Sequence, residues 1–246
     1  MGIDLHQDQI HQNREYWNRK PLLQQLYGDF YRLVAQNLSN LPDAKIVELG
    51  SGLGNIHDVI PNCLRTDLFP NPWIDQVENA YKLSFADESI SDLILTDVFH
   101  HLKYPGTALK ELSRVLRKGG RVIMLEPCIS ALGLLVYGVF HDEPIAITKE
   151  IKWNAPKDWS PEKVDYYAAQ GNATRIFVGG SFRPKLGDWQ KVKTMRFSAI
   201  AYAASGGFSK PQLYPTSMLP LIKKLEKLLD LFPILFATRL LVILEK

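Results

Sequence analysis

The sequence predicts an α/β fold with a mostly parallel central sheet. Three observations favour it: short apolar runs recur between residues 45 and 127, turn residues separate them, and one clear amphipathic helix lies among them. Parallel neighbours need long crossover connections, which helices usually provide. Alternating strands and helical segments are therefore typical of this class.

The elements before and within this sheet follow in chain order. Residues 21–41 carry apolar side chains at helical spacing, and Pro21 opens this helix. A second helix, at 105–118, has its leucines and a valine on one face and ends at a Gly-Gly pair. The predicted strands are KIVELG (45–50), NCLRTD (62–67), WIDQVEN (73–79), SDLILTD (91–97) and RVIMLEP (121–127).

Regular alternation ends after the fifth strand, and we expect an insertion at 128–190. Its apolar run, 129–140, is shorter than the roughly 20 residues that cross a bilayer, so a buried or interfacial segment is predicted. A sixth strand at 192–203, an amphipathic helix at 217–232 and a final strand at 238–246 complete the chain. We expect the helix to pack on the sheet, and a membrane surface is the alternative.

Composition and charge narrow the class of protein. With 46% hydrophobic and 22% charged residues, the chain has the balance of a soluble globular domain. Its net charge of +3 is spread along the chain, so we expect no nucleic-acid partner. Cys63 and Cys128 lack ligand-type spacing, and the polar residues 1–20 lack the apolar core of a secretory signal. We therefore expect a reducing, cytoplasmic location.

A glycine-rich turn follows the first strand. Gly50, Gly52 and Gly54 allow close backbone approach at the edge where parallel sheets bind ligands. A dinucleotide fingerprint, G-x-G-x-x-G, would need glycine where Asn55 stands, and the G-K-[S/T] of a phosphate loop is missing. Glu48, just before the glycines, suits an ammonium or sulfonium group better than a pyrophosphate. A tight turn without a ligand is the alternative.

Further polar residues end the other strands. Asp67 ends the second strand, where a carboxylate accepts hydrogen bonds from both ribose hydroxyls. Alone, it does not separate dinucleotides from other nucleoside cofactors. Asn79, followed by Ala80, ends the third strand, and its amide oxygen suits an adenine amino group. Asp97 ends the fourth strand.

Taken in order, these motifs resemble class I S-adenosylmethionine-dependent methyltransferases, especially the type-11 small-molecule group. The resemblance rests on VELGSGLG, TDL, ENAYKLSFADESISDLILTDVFHHL and LRKGGRVIMLEP, and it covers about residues 45–127. It implies a Rossmann-like sheet of seven strands, mostly parallel with the last strand antiparallel, flanked by helices. It also implies S-adenosyl-L-methionine as the cofactor, lying across the carboxyl ends of the strands.

The resemblance also implies which residues contact the cofactor. Two departures from the family pattern matter: Asn79 stands where Asp is more frequent, and Pro70 and Pro72 occupy the crossover after Asp67. We therefore expect the second helix of the usual fold to be reduced to a turn or lost. The implied contacts are Glu48, Gly50, Gly52 and Gly54 at the methionine end, Asp67 at the ribose, Asn79 and Ala80 at the adenine, Asp97 and Val98 beneath the cofactor, and Ser51 and Leu68 beside these.

We accordingly expect one methyltransferase domain over residues 1–246. Its parts are an N-terminal helical cap (1–44), a cofactor-binding core (45–127), a variable acceptor-side insertion (128–190), and C-terminal strands and helix (191–246).

An oxygen acceptor would need a general base, and histidine is the natural one near neutral pH. His100, His101 and His141 are the candidates, each with packing or a surface role as the alternative. Adjacent residues such as 141–143 point in different directions, so we expect no metal site there. Tyr137, Asn172 and Arg175, in the variable region, are candidate acceptor contacts.

We predict methyl transfer to a small-molecule, glycan or lipid-linked acceptor, with a peripheral membrane contact through the apolar segments. An NAD-dependent oxidoreductase is one alternative, which Asn55 and Glu48 oppose. A binding protein that keeps the fold without catalysis is another, and a membrane-surface protein a third.

Overall fold

The computed structural model describes residues 3–139, 143–162, 167–187 and 189–246. For residues 3–9 and Lys191 it describes the backbone only. His141 and Asp142, named above, lie outside the described residues.

Seven strands form one sheet in the order β3-β2-β1-β4-β5-β7-β6. Strands β1 to β5 are parallel neighbours, whereas β7 runs antiparallel to both β5 and β6. This confirms the predicted fold class. The strands are β1 Ile46–Leu49, β2 Leu64–Asp67, β3 Gln76–Val77, β4 Ile90–Thr96, β5 Leu116–Pro127, β6 Lys191–Phe197 and β7 Arg239–Glu245.

Helices flank both faces of the sheet. The α-helices are α1 Ile3–Arg19, α2 Pro21–Ala35, α3 Pro105–Val115, α4 Ala131–Val139, α5 Asn172–Phe177, α6 Ile200–Ala204, α7 Leu219–Leu229 and α8 Pro233–Phe236. None of the helices in the described part of the chain has the length and hydropathy that a bilayer span requires.

The core lies on the two faces of the sheet. Along β4, Leu93 and Leu95 pack into the cluster that includes α3 and the insertion, whereas Ile94 packs against the side of α1 and α2. A strand covered on both faces is apolar throughout, which explains why this segment reads as a continuous hydrophobic run. Because packed side chains cover both faces of the sheet, ligands can bind only at its ends, and in such folds they bind at the carboxyl ends of the strands.

The crossover between β2 and β3 contains no helix in residues 68–75, all of which the structure describes. This confirms the expectation drawn from Pro70 and Pro72. After β1 the chain forms only a short 3-10 helix, Asn55–Asp58. The sheet edge at β3 is correspondingly short, with two paired residues.

Three predicted elements differ from the structure. The predicted strand 73–79 is only Gln76–Val77, and the helix predicted to end at the Gly-Gly pair ends at Val115, with Gly119 and Gly120 inside β5.

The apolar run 192–203 was expected to be a single strand, but β6 ends at Phe197 and α6 begins at Ile200. The Glu226 carboxylate accepts the backbone N–H of Ala201 at 2.7 Å and so caps the first turn of α6. The cap comes from α7, so the change of structure could not be read from the local pattern.

Candidate active site

The glycine turn has the left-handed backbone that its sequence predicts. Gly50, Gly52 and Gly54 have φ angles of 72°, 52° and 66°. A Cβ on Gly50 would lie within 3.0 Å of a methyl group of Val98, and a Cβ on Gly54 within 3.0 Å of the Trp73 carbonyl oxygen. A Cβ on Gly52 would meet nothing within 4 Å. Close packing therefore requires glycine at positions 50 and 54, whereas Gly52 faces open space.

The end of β2 holds this turn in place. The backbone N–H of Ser51 donates to the Thr66 carbonyl at 2.8 Å, and the N–H of Gly52 donates to Oδ2 of Asp67 at 3.0 Å. Asp67 is therefore part of the turn's own structure, in addition to its predicted contact with ribose. Leu68, the next residue, is half-buried at the start of the crossover.

Glu48 lies buried under the turn with an unsatisfied oxygen. Burial raises the pKa of Glu48 to about 7, although the nearby hydroxyls of Ser51 and Tyr31 oppose the shift. Its Oε2 atom has no hydrogen-bond partner among the described residues. A buried carboxyl group with a vacant acceptor atom, next to the open space at Gly52, fits a cationic ligand. The residues present thus fit a sulfonium nucleoside.

Asn79 is engaged within the protein. Its Oδ1 accepts the N–H of Tyr81 at 2.9 Å, and its amide donates to the Pro161 carbonyl at 2.9 Å. Nearby, the ammonium of Lys82 lies 2.9 Å from the Glu162 carboxylate. The insertion is therefore fastened to the strand end where adenine contacts are predicted. Ala80 is half-buried and packs against the core.

Asp97 also has a partner that the sequence did not reveal. It has a positive φ of 57°, and its carboxylate pairs with the guanidinium of Arg239, whose Nη2 lies 3.0 Å from Oδ2. Arg239 is 2% exposed, and its guanidinium carbon lies 4.5 Å from the centre of the Tyr202 ring. Asp97 raises the pKa of this guanidinium against the opposing effect of burial. The pair joins the ends of β4 and β7.

The next residues form a group that we call the His–Glu cluster: His100, His101, Glu126 and Glu143. Glu126 is fully buried, and its Oε1 accepts the N–H groups of Val98 and Phe99 at 2.9 and 2.7 Å. It thereby caps the 3-10 helix Phe99–His101, which carries both histidines. Glu143 comes from the insertion and lies against both rings.

Hydrogen bonds fix the orientation of both imidazoles in the cluster. Nδ1 of His100 lies 2.7 Å from Oε2 of Glu126, and its Nε2 lies 3.2 Å from Oε2 of Glu143. Nδ1 of His101 lies 2.9 Å from the Tyr167 carbonyl oxygen, and its Nε2 lies 3.5 Å from Oε1 of Glu143. The Nε2 atom of each ring therefore lies close to a different oxygen of the Glu143 carboxylate.

The electrostatics of the cluster are strongly coupled. Burial alone would lower the pKa of His100, but the carboxylates of Glu126 and Glu143 outweigh it and raise that pKa to about 10. Burial and the neighbouring His100 lower the pKa of His101. Glu143 is partly buried, yet the two imidazoles hold the pKa of its carboxyl group well below the usual range.

The candidate acceptor contacts hold the insertion together. Tyr137 is buried, and its hydroxyl donates to the Thr238 carbonyl at 2.6 Å. Nη1 of Arg175 donates to the carbonyls of Ala146 and Lys149 at 2.6 and 2.7 Å. Asn172 is buried at the start of α5. Their roles as acceptor contacts stay predictions, as does the role of His141 as a base.

Several residues of the site were missed at the sequence level. Gln170 donates to Oε2 of Glu143 at 2.8 Å, and Tyr31 of α2 lies beside Glu48. Glu126 carried a signal, since a lone acid at the end of an apolar strand marks a buried, partnered carboxylate. The prediction of no metal site rests on residues 141–143, which are adjacent in sequence, whereas in the structure Glu143 contacts the distant histidines His100 and His101.

Comparison with known proteins supports the same class. The family model described as a methyltransferase domain matches residues 47–124. A SAM-dependent methyltransferase from Archaeoglobus fulgidus has a similar structure, with a TM-score of 0.54, 12% sequence identity, and coverage of 91% of this chain and 94% of that chain. One from Thermotoga maritima gives a TM-score of 0.56, 14% identity, and coverage of 98% and 99%. Among curated proteins, no sequence matches significantly.

Residues 47–124 therefore match a methyltransferase domain, and the sheet has the fold of the S-adenosylmethionine-dependent methyltransferases, as the motifs implied. The predicted cofactor, S-adenosyl-L-methionine, is the one that goes with this domain. The family match favours this class over the NAD-dependent alternative.

Proposed function

We propose that this protein transfers the methyl group of S-adenosylmethionine to a hydroxyl oxygen of a glycan or lipid-linked acceptor. The observation that carries the proposal is the position of the His–Glu cluster. Val98 packs on Gly50 of the cofactor turn, and the histidines follow only two and three residues later. The groups that we propose for the acceptor thus lie close in sequence to Val98, which packs on the turn predicted to bind the donor.

When bound, the cofactor supplies a sulfonium-activated methyl group. The residues of the chain then chiefly hold and align the reactants, and such positioning contributes on the order of 7–11 kcal/mol to catalysis. Glu48 provides negative charge under the turn, the backbone at Gly52 leaves room for close approach, and Asp67 offers its carboxylate to the ribose. In the cluster, His101 and Glu143 lie on the half-exposed side, where they would receive an acceptor hydroxyl.

A lipid-linked acceptor is favoured by an exposed apolar surface on the segment that follows β5. Helix α4 begins four residues after the end of β5, which carries Glu126, and it packs against α8. Leu231 and Ile234 are 69% and 70% exposed. We refer to the exposed apolar side chains of α4 and of residues 231–235 as the apolar face: Leu134, Leu135, Val139, Leu231, Phe232, Ile234 and Leu235.

Replacing Asp67 tests the cofactor site. Asp67→Ala removes a charged acceptor of two ribose hydrogen bonds, each worth about 1.5–3 kcal/mol, so affinity for the cofactor and its demethylated product falls at least about a hundredfold. Isothermal titration measures this loss. Asp67→Asn retains an acceptor for the N–H of Gly52, and it separates loss of the ribose contact from loosening of the turn.

The exposed carboxylate of Asp58, in the 3-10 helix that follows the turn, provides the matched control. Asp58→Ala should leave affinity unchanged. Equal affinity of the Asp67 variants and the parent protein would show that the nucleoside lies elsewhere. Heat on titration with NAD, and none with S-adenosylmethionine, would restore the oxidoreductase alternative.

A turnover assay separates an enzyme from a binding protein with the same fold. Radiolabelled methyl donor and acceptors of both kinds, free glycans and lipid-linked glycans, should give label in a base-stable ether on the lipid-linked acceptor. Cofactor binding without label on any hydroxyl acceptor would support the non-catalytic alternative.

A further inference from the structure

We propose that His100, His101 and Glu143 bind a divalent first-row transition-metal ion through the two Nε2 atoms and the carboxylate. One potential ligand atom from each residue lies within 4.8 Å of the other two. The role of such an ion in methyl transfer rests on the function proposed above, but its binding does not. The three residues come from two separate segments, the 3-10 helix after β4 and the insertion.

The separations between these atoms match those between ligands of one small ion. Nε2 of His100 lies 3.2 Å from Oε2 of Glu143, and Nε2 of His101 lies 3.5 Å from Oε1. Two ligands at the usual zinc bond lengths of about 2.0–2.2 Å lie about 3.4 Å apart in a tetrahedron. Each Nε2 atom therefore stands at ligand spacing from one oxygen of Glu143, and one ligand atom from each of the three residues lies within 4.8 Å of the other two.

The partners of the Nδ1 atoms strengthen the inference. The Tyr167 carbonyl beside His101 only accepts, so the Nδ1 of that ring carries hydrogen and donates. In the neutral imidazole, Nε2 then presents a lone pair towards Glu143. Metal-bound histidines typically donate their other ring hydrogen to a carboxylate or a backbone carbonyl. Glu126 and the Tyr167 carbonyl are these two kinds of partner.

The burial of the cluster fits an ion that keeps an open position. His100 is 3% exposed, whereas the side chains of Glu143 and His101 are 20% and 33% exposed. Three protein ligands with access from one side are typical of catalytic zinc sites, which leave the fourth position to water or substrate. The mixed nitrogen and oxygen donors favour zinc, iron or manganese over calcium or magnesium.

An ion here would deepen the proposed reaction. An acceptor hydroxyl oxygen in the fourth position would have its pKa lowered, so that its proton leaves to solvent. The oxygen then forms its bond to the methyl carbon while the carbon–sulfur bond breaks, and the electron pair of that bond stays on sulfur. This chemistry selects an acceptor with a hydroxyl group.

Metal stoichiometry tests the proposal directly. The full-length protein is treated with a chelator, dialysed against Zn²⁺ and desalted, and the retained metal is counted by mass spectrometry. We expect about one zinc per chain for the parent protein and none for Glu143→Gln. His101→Ala, at the more exposed ligand, should lose the metal as well and serves if Glu143→Gln does not fold. Loading with Co²⁺ should give the visible absorption of a mixed histidine–carboxylate site.

A histidine outside the cluster provides the matched control. His57 lies 4.0 Å from Asp75, so it is also an imidazole beside a carboxylate. Neither of these two residues belongs to the His–Glu cluster. His57→Asn should retain about one zinc per chain. Zinc that is lost from this variant but kept by the cluster variants would overturn the proposal.

Titration of the same samples with S-adenosylmethionine separates the two proposals. A parent protein that binds the cofactor but retains no zinc and shows no Co²⁺ absorption overturns the metal site and leaves the methyltransferase proposal standing. Hydrogen bonds and ion pairs would then hold the cluster together without a metal ion. Zinc retention without cofactor binding would instead overturn the proposed function while supporting the metal site.

Discussion

Glu48 shows how a single buried carboxyl group can prepare a site for a positively charged ligand. It lies under the glycine turn, where α2, the turn and β2 surround it with Tyr31, Ser51, Asp67 and Arg65. Burial raises its pKa to about 7 from an ordinary value of 4.5. The contribution of protonated Glu48 to the free energy of unfolding is therefore fully present below about pH 4.5, and it is lost as the pH rises through about 7.

This shift predicts proton release on cofactor binding. A sulfonium or ammonium group near Glu48 favours its charged form and lowers its pKa. At about pH 6, binding should release up to one proton, and affinity should rise with pH until about 7. Titration calorimetry in buffers of different ionisation enthalpy measures the released proton.

Glu48→Gln should abolish the release and flatten the pH dependence of affinity. A neighbouring acid tests specificity: Asp58→Asn, at an exposed carboxylate, should leave the release as it is. Proton release that persists without Glu48 would mean that another group meets the positive charge.

Residue-level prediction succeeded where the signal was local. The left-handed glycines and the acid before them are a short-range pattern, because turn geometry restricts residue type within a few positions. Partners across long sequence separations were missed. Arg239 pairs with Asp97 from 142 positions away, and Glu143 meets His100 only because the insertion folds back over β4. Such contacts depend on the assembled sheet.

At the scale of elements, the junction of β1, β2 and β4 forms the predicted cofactor side of the site. The glycine turn after β1 is hydrogen-bonded to β2 and packed on Val98 after β4. Its three glycines have similar backbone angles but different surroundings. The structure therefore separates the effect of backbone strain from the effects of packing and of ligand access.

Alanine substitutions in the turn should show this difference. Gly50→Ala combines a left-handed strain of about 1–2 kcal/mol with a clash against Val98 of about 1–3 kcal/mol, so unfolding free energy falls by about 2–5 kcal/mol. Gly52→Ala carries only the strain, but its methyl group enters the open space and weakens cofactor binding. Denaturant unfolding and calorimetry measure the two effects.

Gly180 provides a matched control for the strain alone. It has a φ of 79°, and a Cβ there would also meet nothing within 4 Å. Gly180→Ala should lower stability about as much as Gly52→Ala and leave cofactor affinity unchanged. If Gly52→Ala bound the cofactor as well as Gly180→Ala does, the space above the turn would not be the cofactor site.

The elements themselves were largely predictable because burial dictates their pattern. Strands covered on both faces read as continuous apolar runs, and α3 showed its single apolar face. The boundary between β6 and α6 was not predictable. Glu226 and Asp230 of the α7 region accept N–H groups of Ala201 and Ser198, and these contacts end the strand and start the helix.

At the scale of the whole molecule, part of the apolar face directly follows the lysine-rich helix α7 in the chain. The prediction that α7 packs its leucines on the sheet is wrong: α7 contacts α6, and Leu225 and Leu228 are exposed beside Lys223, Lys224 and Lys227. Apolar side chains with a basic border are the pattern of a helix that lies in an anionic lipid surface. This arrangement agrees with a lipid-linked acceptor.

Flotation with lipid vesicles tests the contact. The protein should float with vesicles that contain anionic lipid, more strongly at low salt, because both apolar insertion and charge attraction contribute. Leu231→Glu combined with Ile234→Glu should abolish flotation. Val77→Glu, at the half-exposed β3 edge on the other side of the sheet, should have no effect. Equal flotation of all variants would place the contact elsewhere.

The insertion touches both halves of the site. On the side where adenine is expected, the Pro161 carbonyl accepts from Asn79 and Glu162 pairs with Lys82. On the other side, Glu143 and the Tyr167 carbonyl contact the two histidines. If donor and acceptor bind at these two places, both contact the same segment of chain, so we expect the binding of one to change the affinity for the other.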